Sequence, residues 1–260
     1  MNATVERFSK IMNTLNAITQ DRGELAPGGL LRVGVVYAPA MSTFFVELDE
    51  SGAPHGPTVE LGKGLAKWLG CEVTFNAVPN SGELADAVEA KQIDVAFMPM
   101  DEERKQRVAF GPSYFVIEST ALVNADSTFQ FTMDLNQRGV RAAGIANTTT
   151  IRNAERVLSA AQIVPVSSVE EAMSGLQDKK VDAVVLSRDV LTAYQAKIPS
   201  TRVLDGTLHS TGIAVSVAKD RPVGLCAVSS FLESAKSSGL VRKLFDDAGF
   251  TSDPVAPPGI

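Results

Sequence analysis

Apolar positions fall along this chain in short blocks whose spacing changes from block to block. LLRVGVV (30–36) is a β-branched apolar run and predicts a strand. In PTVELGKGLAKWLG (57–70), Val59, Leu61, Leu65, Trp68 and Leu69 recur at helical spacing, and Gly70 follows where a left-handed residue closes a helix. CEVTFNAV (71–78) predicts a second strand. SGELADAVEAKQ (81–92) predicts a helix with Leu84 and Val88 on its apolar face and Ser81 as its cap, and IDVAFMPM (93–100) a third strand. Strand and helix in alternation predict parallel pairing in an α/β layer.

The pattern then repeats. FVIESTALV (115–123) is extended without a helical period. VRAAGIA (140–146) predicts a strand, NTTTIRNAERVLSAAQ (147–162) a helix opened by cap-forming residues, and IVPV (163–166) a strand. SSVEEAMSGLQDKK (167–180) carries a capping box, Ser167 with Glu170 or Ser168 with Glu171, and VDAVVLS (181–187) is again a strand. GIAVSVAK (212–219) adds one more strand, two helices follow at about 222–237 and 239–248, and the Pro-rich tail TSDPVAPPGI reads as irregular. Two α/β units with extended segments at 115–123 and 207–217 between them predict two lobes joined by two crossings around a cleft. The expected boundaries are 30–117 for the first lobe, 118–211 for the second and 212–260 for a return to the first.

Ahead of these units, Val5, Phe8, Ile11, Met12, Leu15 and Ile18 form one stripe of an amphipathic helix within 1–29, offered to the body or to a second copy in a homodimer. The segment has neither the apolar core nor the cleavage site of a signal peptide, and no run in the chain reaches the ~18 apolar residues of a membrane span. The formal net charge of −6 argues against nucleic acid, which requires a basic surface. Two distant histidines, His55 and His209, and no HExxH or CxxC spacing leave no basis for a metal, and nothing implies a cofactor. Cys71 and Cys226 read as small buried residues, although an oxidising compartment would allow them to pair.

Charge concentrates at DEERKQRVAFGPSYF (101–115), directly after the third predicted strand. Ligands of α/β sheets sit beyond the carboxyl ends of strands and between domains. Residues 98–104, 147–150 and 186–189 all occupy such ends. Arg104 is the outstanding side chain, because a guanidinium fork matches a carboxylate in two hydrogen bonds. The competing reading makes Asp101 the cap of a short helix, paired with Arg104 at the surface. Tyr37, at the end of the first strand, either lines the cleft or packs, and Trp68 belongs to a helix core face.

The ordered pieces LRVGV, GPTVELGKGLAKWLG, IDVAF followed by an arginine, VAFGPSYFVIE, GIANTTT, KVDAVVLS, GIAVSVAKD and SSGLVRKLF resemble the type II periplasmic solute-binding proteins of ABC transporters, in the family-3, polar amino-acid group. The resemblance spans about residues 30–250. It implies hinge closure on a small carboxylate-bearing solute, an ABC permease as partner and a periplasmic location. It also implies that Arg104, six residues before Phe110, grips the carboxylate, helped by the turn Asn147–Thr148–Thr149 with Thr149 in contact. The family's ammonium-binding acid falls at Ser187, its aromatic platform at Ser81 and its serine pair at Met98–Pro99, so the ammonium half of the site is altered. Asp101, Glu118 and Asp189 are the acids left to replace it. Cyclohexadienyl or arogenate dehydratases share the scaffold and define the enzymatic alternative, and a sensory ligand-binding domain is a third. The chain has no G-x-S-x-G, no P-loop and no Cys–His pair that would mark another enzyme class.

Overall fold

The computed structural model describes residues 23–38, 41–251 and 253–259, so most of the predicted N-terminal helix lies outside the described residues. Strand β1 (Leu30–Val36) leads through the short strands β2 (Glu47–Leu48) and β3 (Pro54–His55) to helix α1 (Pro57–Leu69). Gly70 closes this helix at φ 66°, the left-handed conformation its place in the sequence predicts. Strand β4 (Glu72–Val78), helix α2 (Ser81–Glu89) and strand β5 (Val95–Pro99) complete the first unit. The cap of α2 is Asn80, whose side chain accepts from the Gly82 and Glu83 amides, whereas Ser81 stands inside the first turn. β1 pairs in parallel with both β4 and β5.

Helix α3 (Glu102–Arg107) turns the chain into β6 (Val108–Asn124), a 17-residue strand that absorbs the predicted extended segment. The second unit comprises β7 (Arg141–Ile145), α4 (Thr149–Val157), β8 (Gln162–Val166), α5 (Val169–Gln177) and β9 (Ala183–Ser187), with β7 parallel to β8 and β9. Ser168 caps α5 by accepting from the Glu171 amide, while the Glu171 carboxylate accepts from the Ser167 amide and hydroxyl. Helix α6 (Arg188–Lys197) and strand β10 (Thr201–Val203) were not anticipated, and neither were the short strands β2 and β3. RDVLTAYQAK contributes a single buried side chain, Leu191, so its apolar signal is too thin to read.

β11 (His209–Ala218) returns antiparallel to both β5 and β6, and helices α7 (Pro222–Ser237) and α8 (Leu240–Asp247) follow. The tail is tied down: Val255 bridges to Phe115 and the Ala256 amide donates to Tyr114 O. The large sheet runs β4-β1-β5-β11-β6-β9-β7-β8, with β10 on β6. Its apolar interior is divided. One cluster draws on residues 25–117 and 213–255, and two smaller ones, on either face of the second half-sheet, draw on 121–208. The paired strands β6 and β11 are the continuous link between the halves. Trp68 departs from its expected place, since it is 41% exposed and tilts against Phe231. Cys226 is exposed, and Cys71 is half-buried with its Sγ 3.7 Å from Ala66 O.

Candidate functional site

Arg104 sits at the C-terminal end of β5 because Asp101 caps α3, accepting from the Arg104 amide at 2.9 Å. Its side chain turns inward and is 1% exposed. One guanidinium nitrogen donates to Pro99 O at 2.8 Å; the other donates to Ser81 Oγ at 2.9 Å and to Asn147 O at 3.3 Å. The last bond crosses from the first α/β unit to the second. Asn147 offers that carbonyl from a left-handed conformation, φ 61°. Burial pulls the Arg104 pKa down to about 10, against the opposing charge of Asp101.

Asp101 does not pair with the Arg104 side chain, as the surface reading had it. Its carboxylate crosses to the N-terminus of α4, where it accepts from Thr149 Oγ1 at 2.6 Å and from Arg152, which also meets Glu103 at 3.0 Å. Burial works against ionising Asp101, but the Thr149, Arg104-amide and Arg152 bonds together keep it below the usual carboxylate range. Thus a carboxylate of the protein itself occupies the helix end that the resemblance reserves for a ligand. Arg152 was missed in the sequence, although it stands three residues after Thr149 on the same helix face. Gly82 marks how closely the units meet, since a Cβ there would lie 2.9 Å from Asn147 O.

Behind this contact lies a cavity of about 860 Å³ lined by both units. Val36, Tyr37, Met41, Phe44, Phe45 and Leu48 make much of one wall. The other comes from Ile145, the start of α4, the start of α5, and the β9–α6 junction with Ser187 and Asp189. Of the residues singled out in the sequence, Tyr37, Ser81, Pro99, Thr148, Thr149, Ser187 and Asp189 line it. Thr148 is the α4 cap, accepting from the Ile151 amide and donating to Ile145 O. Arg104, Asp101 and Asn147 stand directly behind the wall that Ser81, Pro99 and Thr149 face. Met98 is displaced from its expected role: it is fully buried in the first unit's core, because β5 is an interior strand between β1 and β11 and is buried along its whole length.

The acids near the cleft differ in their partners. Glu118 accepts from Arg188 Nε at 3.2 Å and from Thr207 Oγ1 at 3.1 Å. Asp189 lines the cavity with both carboxylate oxygens buried and without a hydrogen-bond partner among the described residues, and the Ser187 hydroxyl is in the same condition. Asp253, from the tail, also lines the cavity. Burial and the neighbouring Asp189 charge hold its pKa above the usual range, with Arg242 opposing them. No signal in the sequence connects Asp253 with this place. The charged residues of the lining are Glu47, Glu170, Asp189, Asp253 and Lys197. Among the described residues no group of three His, Cys, Asp or Glu side chains is placed to hold a metal, and no helix is long and apolar enough to cross a membrane.

The family model of bacterial extracellular solute-binding proteins, family 3, matches residues 31–248. Among solved structures, the arginine-bound form of truncated ArgBP from T. maritima is similar at 30% identity and TM-score 0.67, over 80% of this chain and 96% of that one. The ancestral amino acid-binding protein AncCDT-1, a precursor of cyclohexadienyl dehydratase, is similar at 29% identity and TM-score 0.71, over 88% of this chain and 98% of that one. A curated relative, membrane-bound lytic murein transglycosylase F of Aeromonas hydrophila, is 25% identical over 176 residues, covering 66% of this chain and 34% of its own length. The chain thus spans about a third of that relative.

Proposed function

We propose that this chain, which belongs to the bacterial extracellular solute-binding proteins of family 3, binds a small carboxylate-bearing solute of the amino-acid class by closing two lobes around it. The observation that carries this reading is the 860 Å³ cavity with one wall from each unit, within the ~300–1,000 Å³ typical of small-molecule sites. The lobes are 30–117 with 212–260, and 118–211, and β6 and β11 form the hinge between them. A ligand touching both walls stabilises the closed arrangement by the difference in its affinity for the two states.

The solute's carboxylate goes to Ser81, Thr148 and Thr149 at the N-terminus of α4, displacing Asp101 from the Thr149 hydroxyl, because the amides of a helix's first turn and the helix dipole favour an anion. Arg104 stands behind that wall, holding Ser81 and supplying positive charge. Solved relatives bound to arginine and to glutamine support the amino-acid class. Delivery to an ABC permease, outside the cytoplasmic membrane, completes the role by analogy with the family.

The test is a thermal-shift screen of the purified protein against amino acids and their amine-free acids, since a ligand that binds only the folded state raises the midpoint by mass action. Stabilisation by members of either set supports the reading, and silence across both overturns it. Turnover of prephenate-like substrates would instead establish the dehydratase alternative.

A further inference from the structure

The Pro-rich segment after α8 reads in the sequence as irregular, and terminal segments hold one position only where something ties them down. Here the ties are many. Gly249, at φ 87°, turns the chain off the helix, and the Phe250 amide closes that turn by donating to Phe245 O at 2.8 Å. Arg242 reaches from α8 and donates to the carbonyls of both Phe250 and Asp253. Val255 pairs with Phe115 of β6, and the Ala256 amide donates to Tyr114 O at 2.9 Å. Further along, the Lys236 ammonium donates to Pro257 O at 3.0 Å, and the Glu233 carboxylate accepts from the Gly259 amide. The Lys236 side chain is 1% exposed. Burying an ammonium costs free energy, so a buried lysine that fastens a terminus is unfavourable unless the fastened segment contributes something.

What it contributes is wall. Phe250 and Asp253 both line the cavity between the units, and both lie beyond the span 31–248 that the family model matches. Phe250 packs against the same apolar cluster that holds Phe44 and Phe45, which line the cavity with Met41 and Leu48. Each anchor named above belongs to β6 before the crossing or to α7 and α8, so the tail is fixed to the first lobe.

We propose that the C-terminal tail is a fixed wall of the solute site and that Phe250 is its specificity-determining residue, selecting solutes with a bulky apolar side chain. It rests on the cavity being the solute site. A leucine- or phenylalanine-sized side chain laid on Phe250 and the Phe44–Phe45 surface gains free energy in proportion to the apolar area it removes from water, and an alanine-sized one gains little. A polar side chain would surrender its water to rings that offer it no partner. Arg242 acts as a positioning residue: its fork holds two carbonyls at once and so sets where the Phe250 ring stands.

The experiment uses the full chain, Phe250→Ala, Arg242→Ala and the double variant, each shown to be folded by a cooperative melt, with calorimetric titrations. The probes are leucine, phenylalanine, alanine and glutamine, together with the amine-free acid of each. The unsubstituted protein binds a leucine or phenylalanine probe at least about tenfold more tightly than the matching alanine and glutamine probes. Phe250→Ala removes that preference, lowering affinity for the apolar probe about tenfold while alanine changes by less than about twofold. Arg242→Ala causes a similar loss of preference, and the double variant loses no more than the larger single loss, because both act through one wall. A merely structural role would weaken all probes alike and leave the preference in place. Such a uniform loss, or no loss in Phe250→Ala, overturns the proposal, and additive losses overturn the role of Arg242. A solute with a polar or charged side chain that binds more tightly than every apolar probe overturns the selection by Phe250. Each of these results leaves the solute-binding reading standing, whereas silence to these probes and to the full screen of amino acids and amine-free acids overturns both.

Discussion

Arg104 and Arg107 lie one turn apart and answer to different surroundings. Arg104 is buried and gives its donors to Pro99, Ser81 and Asn147, so its removal strips the wall that faces the ligand and leaves buried acceptors unpaired. Arg107 is clamped at the surface by Asp86 and Glu89, whose hydrogen bonds raise its pKa. The Arg104→Ala variant is expected to weaken solute binding roughly a hundredfold, the ~3 kcal/mol typical of truncating one partner of a buried charged hydrogen bond. Arg107→Ala should change affinity by less than about threefold, since exposed pairs contribute about 1 kcal/mol or less. Calorimetric titration of both variants with the tightest ligand of the screen decides the assignment, and equal losses would refute it.

Between elements, the two units use one device twice. In the first, Asp94 accepts from the Arg32 amide and guanidinium, and Arg32 also donates to Lys91 O; in the second, Asp182 and Arg141 repeat this, with Arg141 donating to Lys179 O. Both lysines are left-handed, at φ 57° and 56°, just after the C-terminus of a helix. The position suits glycine, so Lys179→Gly is expected to raise stability by about 0.5–1 kcal/mol in denaturant melts. The copies differ in depth. Asp94 is wholly buried and takes a second arginine, Arg221, whereas Asp182 is 35% exposed. Asp94→Asn should therefore cost about 3–5 kcal/mol, by leaving two arginines short of a partner, and Asp182→Asn only about 1 kcal/mol. Urea melts of the two variants test the contrast.

At the scale of the whole molecule, the two units meet where Asp101 accepts from Thr149 and Arg152 and where Arg104 donates to Asn147 O. Gly82 permits that contact, since a side chain there meets the Asn147 carbonyl. Gly82→Leu is expected to open the lobes, seen as a larger radius of gyration in X-ray scattering and an affinity lowered about tenfold through the smaller closed population. An unchanged radius would show that this contact does not govern closure. Acid should act through the same carboxylates. Burial pushes Asp94 upward, but Arg32 and Arg221 bring it below its ordinary value, and Asp101 is also depressed. Groups whose folded pKa lies below the unfolded ~3.9 stabilise above that value and lose the contribution as pH falls through the folded one. Thermal stability should therefore decline below about pH 4, less steeply in Asp94→Asn. Asp253 has the opposite sign: burial first, and the Asp189 charge second, raise its pKa, so it is a destabilising charge as pH rises past ~3.9, which Asp189→Asn should relieve only in part.

Periodicity alone determined most of the elements, because burial on one face writes itself as spacing: α1 with its Gly70 closure, the parallel strands, the capped start of α5 and the two long crossings were legible in 30–250. Arg104 was legible as a charged residue at the carboxyl end of a predicted strand, and its spacing to Phe110 carried meaning only through the resemblance. Helix α6 was not, because it buries only Leu191, and the N-terminal stripe falls outside the described residues. What only the tertiary structure decided are the pairings between distant segments. Asp101 turns from its neighbour to Thr149 and Arg152, Met98 faces the core, Glu118 is taken by Arg188, and the tail brings Asp253 to the wall of the cavity. Contacts between residues 48 to 70 positions apart depend on how two units dock, and no local pattern of apolar and polar positions encodes that docking.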